Sequence, residues 1–206
     1  MALFLTQPIH ALFGKTMNKF FHVDISQQLR PGMSIALGRE RISEFGRKCW
    51  KHFKCIGLHE IPTLNSLPSS VSLLDSFAYR ELYLEIFRTG HPEVINLKTV
   101  SRLNAFFAVQ SIKDAQRYIE RSNFSKNLPI YEIHTCDAGY KVDSTWLDQQ
   151  FPRDLKAFNY YYKEYWKRST IESDPHLSHH EKRGSLIEVL IASDVVIGEL
   201  VSRHSI

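Results

Sequence analysis

The run RGSLIEVLIASDVVIGEL, from Arg183 to Leu200, limits the fold more than any other part of the chain. It is almost entirely β-branched and aliphatic, and Ala192-Ser193-Asp194 divides it into two strands, Leu186–Ile191 and Val195–Val201. Side chains alternate between the two faces of a strand. Ile187, Val189 and Ile191 therefore make one clean core face. Leu186, Glu188 and Leu190 make the other, where an unpaired carboxylate between two leucines is costly to bury. Glu188 must then lie at a sheet edge or in solvent, be paired, or take part in chemistry.

Strands of this kind need a core to pack against. The 206 residues, 43% of them hydrophobic, are enough for one domain of good size, and 12% aromatic content argues against disorder. Lys plus Arg number 26 against 22 Asp plus Glu, a net charge of +4 that is compatible with nucleic acid without requiring it. The three cysteines, Cys49, Cys55 and Cys136, give no disulfide framework and point to a reducing, cytoplasmic setting. The apolar start MALFLTQPIHALFG is too short to span a bilayer and lacks a basic leader, so residues 1–18 read as a docking segment ahead of a domain over 19–206. No other segment is long enough for a membrane helix.

Strands are expected at Lys19–Asp24, Arg102–Val109 and Pro129–Thr135, besides the final pair. Helices are expected over Arg39–Leu58, Leu73–Phe87, the segment capped by Ser111 with Asp114 three residues on, and Asp154–Arg168; Asp143 is a possible cap for a short helical turn. Strands and helices mix without a regular βαβ rhythm, so the fold class is α+β.

Four features could carry chemistry. Cys49, His52, Cys55 and His59 are zinc-ligand types, but on one helix they trail along a side and cannot surround a tetrahedral ion, so no metal site is assigned. The segment Arg39–Lys54 holds six Lys or Arg against two Glu, with Trp50 and Phe53 interleaved; it could track phosphates, while its aromatics read as core. The row Tyr160–Arg168 places five aromatics within seven residues, more than one core face absorbs, so some should be exposed or at an interface, while Tyr162, Tyr165 and Trp166 read as a packed helix–sheet contact. Last, His22, Ser101-Arg102 and Glu188 each interrupt an apolar strand in separate parts of the chain, where a sheet could bring them together.

The segments FFHVD, SRLNAFFAVQSIKDAQRYI and SLIEVLI stand in the order of an aromatic-His strand, a Ser-bearing strand followed by a helix, and a late strand that supplies a Glu. In this the chain, from about Phe20 to Val201, resembles small bacterial ADP-ribosyltransferase-like domains of the toxin or defence type. The resemblance implies a split mixed β-sheet core with flanking helices, and an enzyme that consumes NAD. It implies Glu188 as the carboxylate that stabilises positive charge on the ribose as the nicotinamide bond breaks. It implies His22, with Val23 beside it, as a ligand of a ribose hydroxyl or the nicotinamide amide. By residue type, Ser101 and Arg102, or Arg80 and Arg88, would hold the pyrophosphate, and Phe107 or Tyr118 would stack on nicotinamide. The Ser-Thr-Ser triplet and paired Glu/Gln-x-Glu of arginine-directed members are lacking, and there is no glycine-rich dinucleotide fingerprint. The basic and aromatic helices favour a nucleic-acid acceptor, RNA or DNA. A neutralising antitoxin or chaperone partner is expected, with the N-terminal segment and the tyrosine row as its contacts. Two other readings are open: a non-catalytic nucleic-acid- or protein-binding module with a transferase-like fold, and a metal-dependent hydrolase using Cys and His.

Overall fold

The computed structural model describes residues 16–37, 41–124, 127–148 and 155–203. Seven strands, β1 (Asn18–Val23), β2 (Ser34–Ile35), β3 (Phe106–Val109), β4 (Pro129–Thr135), β5 (Tyr140–Asp143), β6 (Ile187–Ile191) and β7 (Val195–Arg203), form one sheet in the order β2-β7-β4-β1-β3-β6-β5. Four helices accompany it: α1 (Glu44–Cys55), α2 (Ser76–Gly90), α3 (Ile112–Arg121) and α4 (Leu155–Trp166). The class is α+β. Every strand pairing is antiparallel, where the resemblance implies a mixed sheet. The expected docking segment lies outside the described residues except for residues 16–18.

The sheet is curled. β6 and β7 stand four places apart in it yet are joined by residues 192–194 alone. Laid flat, four strand spacings span about 19 Å, whereas the link from Ile191 to Val195 reaches at most about 14 Å. Curling closes the gap, and Val189 and Ile191 of β6 pack with Phe20, Ile133, Val195 and Ile197 on one inner face. The link is pinned there by Thr135, whose hydroxyl bonds Ser193 Oγ at 2.9 Å and the Asp194 carbonyl at 3.0 Å. The outer face carries the helices. α3 covers Val23, Val109 and Ile130. α1, α2 and α4 cover Tyr140, Val142 and Leu190.

Local chemistry sets the helix starts. Ser43, Asp75 and Ser111 cap α1, α2 and α3 by accepting from the backbone N–H of Gly46, Ala78 and Asp114. Gly46 also lets α1 touch the segment before β3: a Cβ there would stand 2.0 Å from the Leu103 carbonyl oxygen. The Ser43 hydroxyl donates to that same carbonyl at 2.9 Å. The first turn of α1 is thus fixed against residues 101–105, which form a turn and not the start of a strand. Asn104 N–H bonds the Ser101 carbonyl at 3.1 Å, and β3 begins only at Phe106.

In the aromatic row of α4, Tyr162, Tyr165 and Trp166 are packed as expected, and more of the row is buried than one face would hold. Tyr161, Tyr162, Tyr165 and Trp166 are all buried, and Tyr160 is half-buried. One core face could not hold them, but α4 packs against α2, β5 and the short turn carrying Trp146 at once. Their polar atoms are met: the Trp166 indole N–H donates to the Leu84 carbonyl at 2.8 Å, the Tyr140 hydroxyl donates to the Trp166 carbonyl, and the Tyr160 hydroxyl donates to Asp174.

Candidate functional site

Strand register decides which of the intruding polar residues can meet. Phe21 lies opposite Val109, Val109 opposite Glu188, and Glu188 opposite Val142. Residues directly across a ladder share a face, so Glu188 lies on the helix-covered outer face. His22 is one residue on from Phe21 and faces the other way. Its ring lies 4.5 Å from that of Phe106, and its Nδ1 is 2.7 Å from the Phe107 carbonyl oxygen. The shared cleft expected for His22 and Glu188 is therefore corrected: one residue of parity puts imidazole and carboxylate on opposite faces of the sheet. Burial lowers the His22 pKa, partly offset by the Phe107 carbonyl and Asp24. Val23, on the outer face, belongs to the apolar cluster under α3.

Around Glu188 the structure gathers Arg102 and Phe107, with Ser101 joined to them through Glu85. Arg102 is buried at 5% exposure, and its guanidinium is the hub. Nε donates to Glu81 at 2.7 Å, and Nη1 donates to both Glu188 Oε1 and the Tyr165 hydroxyl. The Tyr165 hydroxyl also donates to Glu188 Oε1. The guanidinium stands over the Phe107 ring at 4.8 Å and over Phe45 at 5.8 Å. One face of Phe107 is thereby occupied.

α2 supplies the carboxylates beneath. Glu81 and Glu85, one turn apart, are 0% and 1% exposed. Glu85 accepts from the Arg102 backbone N–H at 2.9 Å, from the Ser101 hydroxyl at 2.9 Å and from Arg88 at 2.7 Å. Arg80 pairs with Glu81 at 2.9 Å. Arg80, Arg88 and Arg102 thus balance Glu81, Glu85 and Glu188, which makes so much buried charge tolerable. Burial pushes the Glu81 carboxyl up, but Arg102 and Arg80 outweigh it and hold the pKa below the usual range. Burial, reinforced by Glu188, raises Tyr165 well above an ordinary phenol, though Arg102 works against it. Burial and then the charge of Glu188 raise the Tyr118 pKa, with Arg102 working against them.

Two atoms at the centre of this cluster are unspent. Glu188 is anchored twice through Oε1, and no described residue bonds its Oε2, which is not sealed from solvent. Arg102 Nη2 likewise donates to no described residue and is not sealed. The side chain of Glu188 is 12% exposed. A fixed acceptor and a fixed donor thus stand without a partner among the described residues, with half-buried Phe45 and Phe107 against the Arg102 guanidinium.

Glu81, Glu85 and Phe45 were not singled out by the sequence, and Tyr165 was read there only as a packing member of the aromatic row. The one signal for the first two is a carboxylate pair at i, i+4 among the apolar positions of α2. The Cys49–His59 set does not converge: Cys49 is buried in the core, its thiol pushed up to about 12 by burial, while Cys55 is exposed. Among the described residues no three His, Cys, Asp or Glu side chains gather at metal-binding distance. No protein-family model matches this sequence, and no curated protein matches it.

Proposed function

We propose that the chain breaks the nicotinamide–ribose bond of NAD and transfers ADP-ribose, with Glu188 as the catalytic carboxylate. The observation that carries this reading is the divided state of that side chain, with Oε1 locked by Arg102 and Tyr165 and Oε2 bonded to no described residue. Orientation of a charged group before substrate arrives is what electrostatic stabilisation of a transition state requires.

In this reading the bond between ribose C1′ and the nicotinamide nitrogen breaks, and both electrons leave with nicotinamide, which departs neutral. Positive charge builds on C1′ and the ring oxygen, and Glu188 Oε2 stabilises it. A nucleophile, water or an acceptor group, then forms a bond to C1′ and gives its proton to solvent. Arg102 Nη2 holds a ribose or phosphate oxygen, and Tyr118 faces nicotinamide. His22 has no place in this cleft. A cell making such an enzyme needs a neutralising partner. Most of the tyrosine row is packed into the core, and half-buried Tyr160 is the member that such a partner would touch.

The test is release of nicotinamide from NAD, measured by chromatography. Wild-type protein should release it, and Glu188→Gln should cut the rate by about 10²-fold or more, the size seen when a main electrostatic contact to a transition state is removed. Equal rates for the two proteins, or no release by folded wild type, would overturn the reading.

A further inference from the structure

We infer that the depression between the end of α2 and the outer side of α4 is a binding site for an unpaired purine base. It holds a cavity of about 250 Å³ lined by His91, Glu93, Asn159, Tyr160 and Lys163. Pockets for drug-sized ligands run from about 300 Å³ upward, so a single flat ring system is the size that fits. The site is separate from the Glu188 cluster. At about 100° per residue, Asn159, Tyr160 and Lys163 share one side of α4, and Tyr165, which bonds Glu188, lies on the opposite side. The inference therefore does not rest on the transferase reading.

The groups already satisfied narrow the ligand's chemistry. Lys163 and Lys167 each reach Glu93 at 3.4 Å, and Lys167 also reaches Glu164 at 3.4 Å. Two cations thus meet two anions, and an ionic ligand finds no net charge to bind. The Tyr160 hydroxyl donates to Asp174. Two polar groups of the lining are left over. The Asn159 amide is exposed and bonds no described residue. His91 accepts the Glu93 backbone N–H on Nδ1 at 3.2 Å, so its neutral ring carries the proton on Nε2, which has no partner among the described residues. The lining therefore offers a donor and an acceptor side by side on one amide, and a further ring N–H. An amide pairs with a base edge that presents a donor next to an acceptor. The extra N–H suits N7, an acceptor that adenine and guanine share and pyrimidines lack. Flat groups stand beside these donors. The His91 ring is stacked on Phe87 at 5.3 Å and 13°, which fixes its plane. The Tyr160 ring is braced edge-on by Trp146 at 6.0 Å, with Lys163 Nζ 5.7 Å from its centroid. Rigid aromatic walls of this kind are what unpaired bases stack on, and a base stacked inside a duplex cannot reach them.

The experiment titrates the full, nitrogen-15-labelled chain with adenosine, guanosine, cytidine and uridine, and follows backbone and Asn side-chain amide signals by NMR. The two purine nucleosides should bind saturably with Kd of about 0.1–1 mM, the range for a fragment of this size, and should shift the Asn159 side-chain amide. The pyrimidines should bind about fivefold or more weakly, for want of one hydrogen bond and of stacking area. Asn159→Ala should weaken all four by about tenfold, the size of one good amide–base pair. His91→Phe keeps a flat ring against Phe87 and should reduce the purine advantage to about twofold or less, as expected when one hydrogen bond is lost. Nicotinamide release should be unchanged in Asn159→Ala. Adenosine 5′-monophosphate and a six-adenine RNA strand separate the two sources of such a base. A strand that binds more tightly than its six bases account for supports a site for single-stranded RNA; no such gain supports a site for a free nucleotide. Pyrimidines that bind as tightly as purines, an Asn159 amide that no nucleoside shifts, or affinities untouched in both variants would overturn the site. Loss of nicotinamide release in Asn159→Ala would make the depression part of the NAD site and overturn its independence.

Discussion

Glu188 is held by one oxygen and free at the other, so its two anchors control where the free oxygen points. Tyr165→Phe removes one anchor without changing the charge. Nicotinamide release should fall at least about tenfold, since small misplacements of a reacting group are costly, while NAD affinity by calorimetry stays the same. A parallel loss of affinity would mean that Tyr165 binds substrate. His22 makes a prediction of another kind. Its folded pKa lies below the ordinary 6.5, so the unfolded chain takes up the proton first. Stability is full above about 6.5 and is lost as the pH falls through that value toward the folded pKa. His22→Gln keeps a donor for the Phe107 carbonyl, and its melting temperature should fall less than wild type between pH 7 and pH 5.5. Equal slopes would contradict the assignment. The contrast with Glu188 shows what a sequence can tell at this scale. A charge amid Leu186, Ile187, Val189 and Leu190 is conspicuous wherever it points. His22 lies among Phe20, Phe21 and Val23, apolar on both sides, so the sequence does not say which face is the inner one.

Elements position the cluster, and two of them can be tested separately. Gly46 lets the first turn of α1 sit on the Leu103 carbonyl, so Gly46→Ala must push the helix away from the turn that carries Arg102. The expected cost is about 1–3 kcal/mol, as for other overpacked contacts, read as a melting temperature several degrees lower. α2 carries Glu81, and Glu81→Gln leaves part of the Arg102 charge buried without its counter-ion. Breaking a buried pair costs about 3–5 kcal/mol, so urea denaturation should show a much larger loss than for Glu44→Gln, whose pair with Lys48 is exposed. The existence of α2, α3 and α4 was legible from periodicity and caps, as were β1, β4, β6 and β7. Four-residue β5 was hidden between a turn and a helical turn, and two-residue β2 offers no pattern at all. The inward carboxylates of α2 were illegible for a physical reason. A helical Glu beside an Arg usually marks a solvated face, and only the arrival of Arg102 from a distant turn makes it a core position.

Across the whole molecule, the curled sheet puts every helix on one face and closes the other on itself. Helices and sheet share the core built around Tyr140, Val142, Leu190, Trp146 and Trp166, so they should unfold together. Far-ultraviolet circular dichroism and tryptophan fluorescence should therefore give one coincident transition in urea. Separate midpoints would show that the α2–α4 layer is its own unit. The most direct measurement of the central claim is a crystal structure of Glu188→Gln soaked with NAD, in which turnover is blocked but the cleft is kept. The account predicts the nicotinamide ribose on the outer face of the sheet, with C1′ about 3–3.5 Å from the side-chain atom that replaces Oε2 and a phosphate or ribose oxygen on Arg102 Nη2. NAD bound elsewhere, or a cleft that stays closed over the Arg102 pair at saturating NAD, would contradict it.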